Sequence, residues 1–131
     1  MKGVKATELI VSLEEKSGAL GEVTSLLKQE GINIRAISGW IQQDTAMIRV
    51  VTSDNQRAKE VLSSRFEISE KEIVIVGVPD KIGNLDSLSN LLKEAGVNMT
   101  HIYGTTSGEG QSAALVLASS DNDKAIEVIS A

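Results

Sequence analysis

The chain has 131 residues, a net charge of −5, 41% hydrophobic and 24% charged residues, one Pro and no Cys. That balance predicts one folded domain or two small ones, and the missing Cys excludes disulfides, thiolate metal sites and cysteine nucleophiles. The acidic charge and an aromatic content of 2% argue against nucleic acid, because phosphate binding rests on Lys and Arg and single-strand binding on rows of stacked rings.

The chain opens with "MKGVKATELIVSLEE", whose apolar run is too short and too acidic for a signal peptide. No stretch approaches the roughly 18 apolar residues of a spanning helix, so a cytoplasmic protein without membrane contact is expected. Residues 8–13, "ELIVSL", are rich in β-branched residues and predict a buried strand. After a glycine turn, Ala19, Leu20, Val23, Leu26 and Leu27 recur at helical spacing, and Gly31 stands where a helix ends in a left-handed residue. "NIRAISGW" and "TAMIRVVT" predict a second and third strand. Asp54 is the expected N-cap of a second helix carrying Ala58, Val61 and Leu62, and residues 65–69, "RFEIS", a fourth strand.

The chain then repeats itself. Lys16, Gly18, Leu20, Leu26, Leu27, Gly31, Asn33, Ile37 and Gly39 recur 65 residues later as Lys81, Gly83, Leu85, Leu91, Leu92, Gly96, Asn98, Ile102 and Gly104. Asp54 and Asn55 recur at an offset of 67 as Asp121 and Asn122, so two residues are inserted between, in a hairpin near "SGEGQ". Residues 72–78, "EIVIVGV", open the second copy, and "NMTHIYG", "SAALVLAS" and a helix carrying Ala125, Val128 and Ile129 complete it. The expected fold is α+β: two ferredoxin-like βαββαβ repeats with antiparallel sheets, at residues 1–70 and 71–131, the second lacking its last strand. The strand of residues 72–78 then has an open edge, which the other copy, the N-terminal segment or a second chain must cover. A copy of about 60 residues alone would bury a marginal core, a structural reason for the doubling.

Little points to catalysis. His101 is the one His and has no HxxxH or ExxH partner, and no G-x-S-x-G elbow is present. "GTTSGEGQS" lacks the GK[ST] of a phosphate loop, and "GALG" matches the GxxG of a KH module without flanking cations. What remains is the turn from first strand to first helix, "EEKSGAL" and "PDKIGNL". A glycine there admits a left-handed turn or the close approach of a ligand, and the free N–H groups of the helix N-terminus suit a carboxylate. A tight turn alone explains the glycines equally well.

The ordered sets "GINIRAIS", "VPDKIGNL" and "SDNDKAIEVI" resemble the ACT domain, and the chain as a whole resembles the small tandem ACT proteins. The resemblance implies a regulatory module without catalytic activity or cofactor. Its ligand is an amino acid or similar small metabolite, held between the turn of one module and the second-strand start of a paired one. Carried over to this chain, the turns are Lys16, Ser17, Gly18 and Ala19, and Lys81, Ile82, Gly83 and Asn84. The strand starts are Asn33 and Ile34, and Asn98 and Met99. Ser17 and Ile82 stand where the family usually has Pro. Asn84, with Ala19 as its counterpart, is expected to make the Gly83 turn the more polar pocket. The resemblance also implies a homodimer. The alternative is a ligand-free interaction module or regulatory subunit docking on a metabolic enzyme.

Overall fold

The computed structural model describes residues 1–131. In chain order its elements are β1 (Lys2–Glu14), α1 (Ala19–Gln29), β2 (Ile34–Gln42), β3 (Thr45–Thr52), α2 (Asn55–Ser63), β4 (Glu67–Pro79), α3 (Asn84–Glu94), β5 (Met99–Thr106), β6 (Ser112–Ser119) and α4 (Asn122–Ser130). The fold is α+β and ferredoxin-like, with two repeats of antiparallel strands and no final strand in the second.

Two compact units form. One is Thr7–Lys71; the other is Glu72–Ala131 together with Met1–Ala6. The six N-terminal residues, first in the chain, therefore pack with the second repeat. The two strands expected at residues 65–69 and 72–78 are one strand, β4, which begins only at Glu67, with 67–71 in one unit and 72–79 in the other; Arg65 and Phe66 lie in the turn before it.

In the Thr7–Lys71 unit the strand order is β2-β3-β1-β4. Alternation along β1 turns Leu9, Val11 and Leu13 to one face, where they meet Ile48 and Val50 of β3, Val23 and Leu27 of α1, and Leu62 of α2. In the other unit the order is β1-β4-β6-β5. Val74 and Val76 of β4 and Leu117 of β6 pack there under Leu88 and Leu92 of α3 and Ile129 of α4.

The helix ends are made the same way twice. Past α1, Gly31 takes φ 68°, its N–H donates to Lys28 O (3.0 Å), and the Ile32 N–H donates to Leu27 O (2.9 Å). Past α3, Gly96 takes φ 70°, with Gly96 N–H to Lys93 O (3.1 Å) and Val97 N–H to Leu92 O (2.9 Å). Both are Schellman ends, as the two glycines predict. Asp54 accepts from the Arg57 N–H and Asp121 from the Lys124 N–H, each at 3.0 Å, so both are N-caps. Asn55 and Asn122 each brace three elements. Asn55 accepts from Thr52 N–H and hydroxyl and donates to Thr7 O (2.7 Å); Asn122 does the same with Ser119 and Glu72 O (3.2 Å). The inserted residues lie in the β5–β6 connection, where Gly108 and Gly110 have φ 138° and 81°.

The open edge expected at residues 72–78 is covered by the N-terminal segment: β1 is the hydrogen-bonded neighbour of β4. Residues 1–6 are held there by specific contacts. The Gly3 N–H donates to Ser130 Oγ (3.0 Å). Lys5 pairs with Asp123 and, at 3.9 Å, with Glu72. The hydrogen bond to Asp123 holds the Lys5 ammonium above its ordinary pKa. Gly3 is buried, and a Cβ there would lie 3.1 Å from Val74 Cγ1 and 3.6 Å from Ile126 Cγ1. A branched side chain does not fit that gap. Gly3→Val is therefore expected to cost about 1–3 kcal/mol, the range of overpacked cores, in denaturant unfolding. Amide exchange should quicken at Ile73, Val74 and Val76 and stay unchanged in β2 and β3; unchanged stability and exchange would show that residue 3 does not pack against β4.

Candidate functional site

Each turn between first strand and first helix is built on a left-handed glycine. Gly18 has φ 89°, ψ 3° and caps α1; Gly83 has φ 88°, ψ −7° and caps α3. Neither helix receives a side-chain cap there. The Ala19 N–H is taken by Lys16 O (3.1 Å) and the Asn84 N–H by Lys81 O (3.2 Å). The next two N–H groups, of Leu20 and Gly21 and of Leu85 and Asp86, find no acceptor within the chain and carry the partial positive charge of a helix start. A Cβ on either glycine would meet nothing within 4 Å, so the space above both turns is open.

The first turn borders a cavity of about 550 Å³. Lys16, Gly18 and Ala19 form one side, and Ile37, Gly39 and Ile41 of β2 the other. The rim is apolar although it meets water: Leu20 is 53% exposed, Ile37 42% and Ile41 58%. Lys16 pairs with Glu22 at 3.2 Å, and Glu15 lies beside it on the rim. Trp40 also borders the cavity, and Arg49, bonded to the buried Glu8, sits 5.3 Å from the centre of its ring.

The second turn borders a smaller cavity, about 320 Å³, at the equivalent place. Asp80, Lys81, Asn84, Thr105 and Thr106 make its lining more polar than the first cavity's, beside the apolar Val78, Leu85 and Leu115. Several of these groups already have partners. The Asn84 side-chain amide donates to Pro79 O (2.7 Å), and the Thr106 hydroxyl donates to Asp80 Oδ2 (2.8 Å).

The structure thus gathers Lys16, Gly18 and Ala19 at one cavity and Lys81 and Asn84 at the other. Ser17 is exposed and outside the first cavity; Ile82, 99% exposed, and Gly83 do not line the second. The strand starts lie elsewhere in each repeat. Glu14 is level with Thr45 in the strand register, whereas Ile34 is level with Thr52. Seven residues at about 3.3 Å each put Asn33 and Ile34 roughly 23 Å along the sheet from the Gly18 turn. Asn98 and Met99 are displaced likewise, since Met99 is level with Ser119 and Pro79 with Ser112. Both starts are fixed locally: Asn33 N–H donates to Ser53 Oγ (2.9 Å) and Asn98 N–H to Ser120 Oγ (3.0 Å), and a register shift follows in each strand. The residues that motif reasoning missed are those of β2 and β5 facing the turns: Ile37, Gly39, Ile41, Gly104, Thr105 and Thr106. Their signal in the sequence was the echo of Ile37 and Gly39 in Ile102 and Gly104.

The ACT domain profile matches residues 7–68. A crystal structure of a Bacteroides thetaiotaomicron protein is 30% identical, has a TM-score of 0.89, and is matched over 98% of this chain and 88% of its own. The ligand-free regulatory subunit of aspartate kinase from Thermus thermophilus is 12% identical, with a TM-score of 0.69 over 97% of this chain and 95% of that one. Its Thermus flavus counterpart is 13% identical, with a TM-score of 0.63 over 99% and 95%. At such identities the Thermus structures share the fold. No curated protein matches the sequence. The profile covers nearly all of the Thr7–Lys71 unit, and the likeness at 30% identity runs the length of the chain; this protein belongs to the ACT domain family, whose domains are regulatory.

Proposed function

We propose that this protein is a regulatory sensor that binds an amino acid, or a similar small metabolite, at the turn between first strand and first helix. The observation that carries this is the cavity of about 550 Å³ beside Gly18. It joins an apolar wall to two free helix N–H groups and open space over a glycine. A carboxylate fits the helix start, and the wall takes a side chain. ACT domains are regulatory, so the protein acts through binding and not through catalysis. We place it in the cytoplasm; no helix is long and apolar enough to cross a membrane.

Pairing belongs to the same reading. β2 is the outer strand of its unit and β5 of the other, so each has one unpaired edge. Such edges accept a second copy, and a homodimer would bring the Asn33–Ile34 or Asn98–Met99 strand starts of that copy toward a turn. The Thermus structures are regulatory subunits of an enzyme. Docking on a metabolic enzyme through the same edge is the second reading, favoured by the exposed Ile37 and Ile41.

Titration calorimetry against a panel of amino acids should give saturable heat with at least one, and that ligand should raise the melting temperature. Neither heat nor thermal shift from any amino acid would overturn the proposal. Gly18→Val separates site from scaffold. The left-handed backbone costs a branched residue about 1–2 kcal/mol of stability, a modest loss in melting temperature. Its side chain also enters the open space where the ligand would approach the backbone, so affinity should fall at least about tenfold, the effect of roughly 1.4 kcal/mol. Unchanged affinity would remove Gly18 from the site.

A further inference from the structure

The two turns share a backbone and differ in what stands above it. Gly39 and Gly104 are equivalent floor positions, one in each repeat, and both pair across to the third strand: Gly39 with Ile48, Gly104 with Leu115. A Cβ on Gly39 would meet only Met47 O at 3.5 Å and Ile48 Cγ1 at 3.9 Å. A Cβ on Gly104 would overlap Leu115 Cδ2 and lie 3.0 Å from Ala114 O, so the backbone is also closer there. Branching explains the side-chain part of the difference. Ile48 branches at Cβ and stays close to its own strand, whereas Leu115 branches one carbon farther out and lays a methyl over the glycine. The floor is therefore open in the first repeat and covered in the second, in line with cavities of about 550 and 320 Å³.

Polar groups follow the same division. Ala19 and Ile41 in the first repeat correspond to Asn84 and Thr106 in the second. Asn84 is spent on Pro79 O, and Thr106 on the Asp80 carboxylate. In the first repeat the charged groups at the mouth, Glu15 and Lys16, stand beside an apolar rim of Leu20, Ile37 and Ile41. A zwitterion with an apolar tail is complementary to that arrangement. Its carboxylate lies toward Lys16 and the free N–H groups of α1, its ammonium toward Glu15, and its side chain over Gly39.

Resting on the function proposed above, we infer that each chain has one amino-acid site, in the first repeat, and that this site selects a large aliphatic or aromatic α-amino acid. The second turn keeps a smaller cavity whose glycine floor is covered by Leu115 and whose Asn84 and Thr106 are engaged within the chain, and it serves structure.

Calorimetry with leucine, isoleucine and phenylalanine beside serine, aspartate and lysine tests this on the full chain. The expected result is binding of the apolar group at one ligand per chain, with the polar group weaker by about tenfold or more. Ile48→Leu gives the first repeat the second's cover. It is a volume-conserving change that the core tolerates, so folding should persist while affinity drops about tenfold or more. Leu115→Ile, outside the first site, should leave that affinity unchanged. Tighter binding of a polar amino acid, two ligands per chain, or loss of binding in Leu115→Ile with retention in Ile48→Leu would each overturn the inference and leave amino-acid sensing standing. No binding by any amino acid would overturn both.

Discussion

The backbone of residues 72–79 makes the demand on which the second unit depends. One edge of this stretch of β4 is satisfied by β6, from Val74 with Leu117 to Pro79 with Ser112. The other edge carries N–H and C=O groups that need partners just as much. The repeat has only three strands of its own, and residues 2–6 supply the fourth. Much else in that unit follows from this requirement. Residue 3 must be small, because Val74 and Ile126 close over it. Ser130, at the end of α4, turns its hydroxyl to the Gly3 N–H. Lys5 finds two carboxylates, from Glu72 and Asp123. These exposed pairs contribute little each; their value is in register, since Gly3 and Lys5 face α4 together and a slip of one residue would turn both to the opposite face of the sheet.

Against that asymmetry at the edge, the internal joints of the two repeats match closely. Schellman ends at Gly31 and Gly96 and caps at Asp54 and Asp121 use the same atoms at nearly the same distances, and the braces at Asn55 and Asn122 join the same three elements of each repeat. All of these satisfy backbone groups, and backbone groups make the same demand wherever the chain path is the same. The two repeats differ where side chains meet open space and nothing in the backbone fixes the choice.

The same distinction governs how much was legible beforehand. Glycines that must take positive φ, aspartates that must accept at a helix start, and a two-residue insertion that must lie in a hairpin are local, and the sequence displayed them. β-branched runs and helical spacing marked Leu9, Val11, Val23 and Leu27 as apolar strand and helix positions, and Val74, Val76 and Leu92 as their counterparts in the second copy; that they fall in two clusters, one for each unit, came from the structure. The role of residues 2–6 was one of three possible covers for the open edge, and choosing among them required a nonlocal pairing that "KGVKA" does not advertise. β4 concealed two roles in one uninterrupted strand, because no turn residue separates residue 69 from residue 72. At the turns, motif reasoning found the glycines and the lysines. It could not find the floor, since Gly39 and Gly104 read alike and differ only in the residue across the sheet.

That last difference shows why a doubled glycine motif need not mean a doubled site. Gly18 and Gly83 have the same conformation to within a few degrees in φ, and both leave N–H groups free. A helix start of this kind attracts a carboxylate weakly in water and becomes selective only where neighbouring apolar surface excludes solvent and takes part of the ligand. In the first repeat that surface is present and unoccupied by the chain itself: Ile37 and Ile41 stand exposed around Gly39. In the second, Leu115 covers the glycine and Thr106 is held to Asp80. Packing Leu115, partly buried, against the core there stabilises the unit that already borrows a strand from the N-terminus. The first unit, complete in its own four strands, can leave apolar surface open to a ligand.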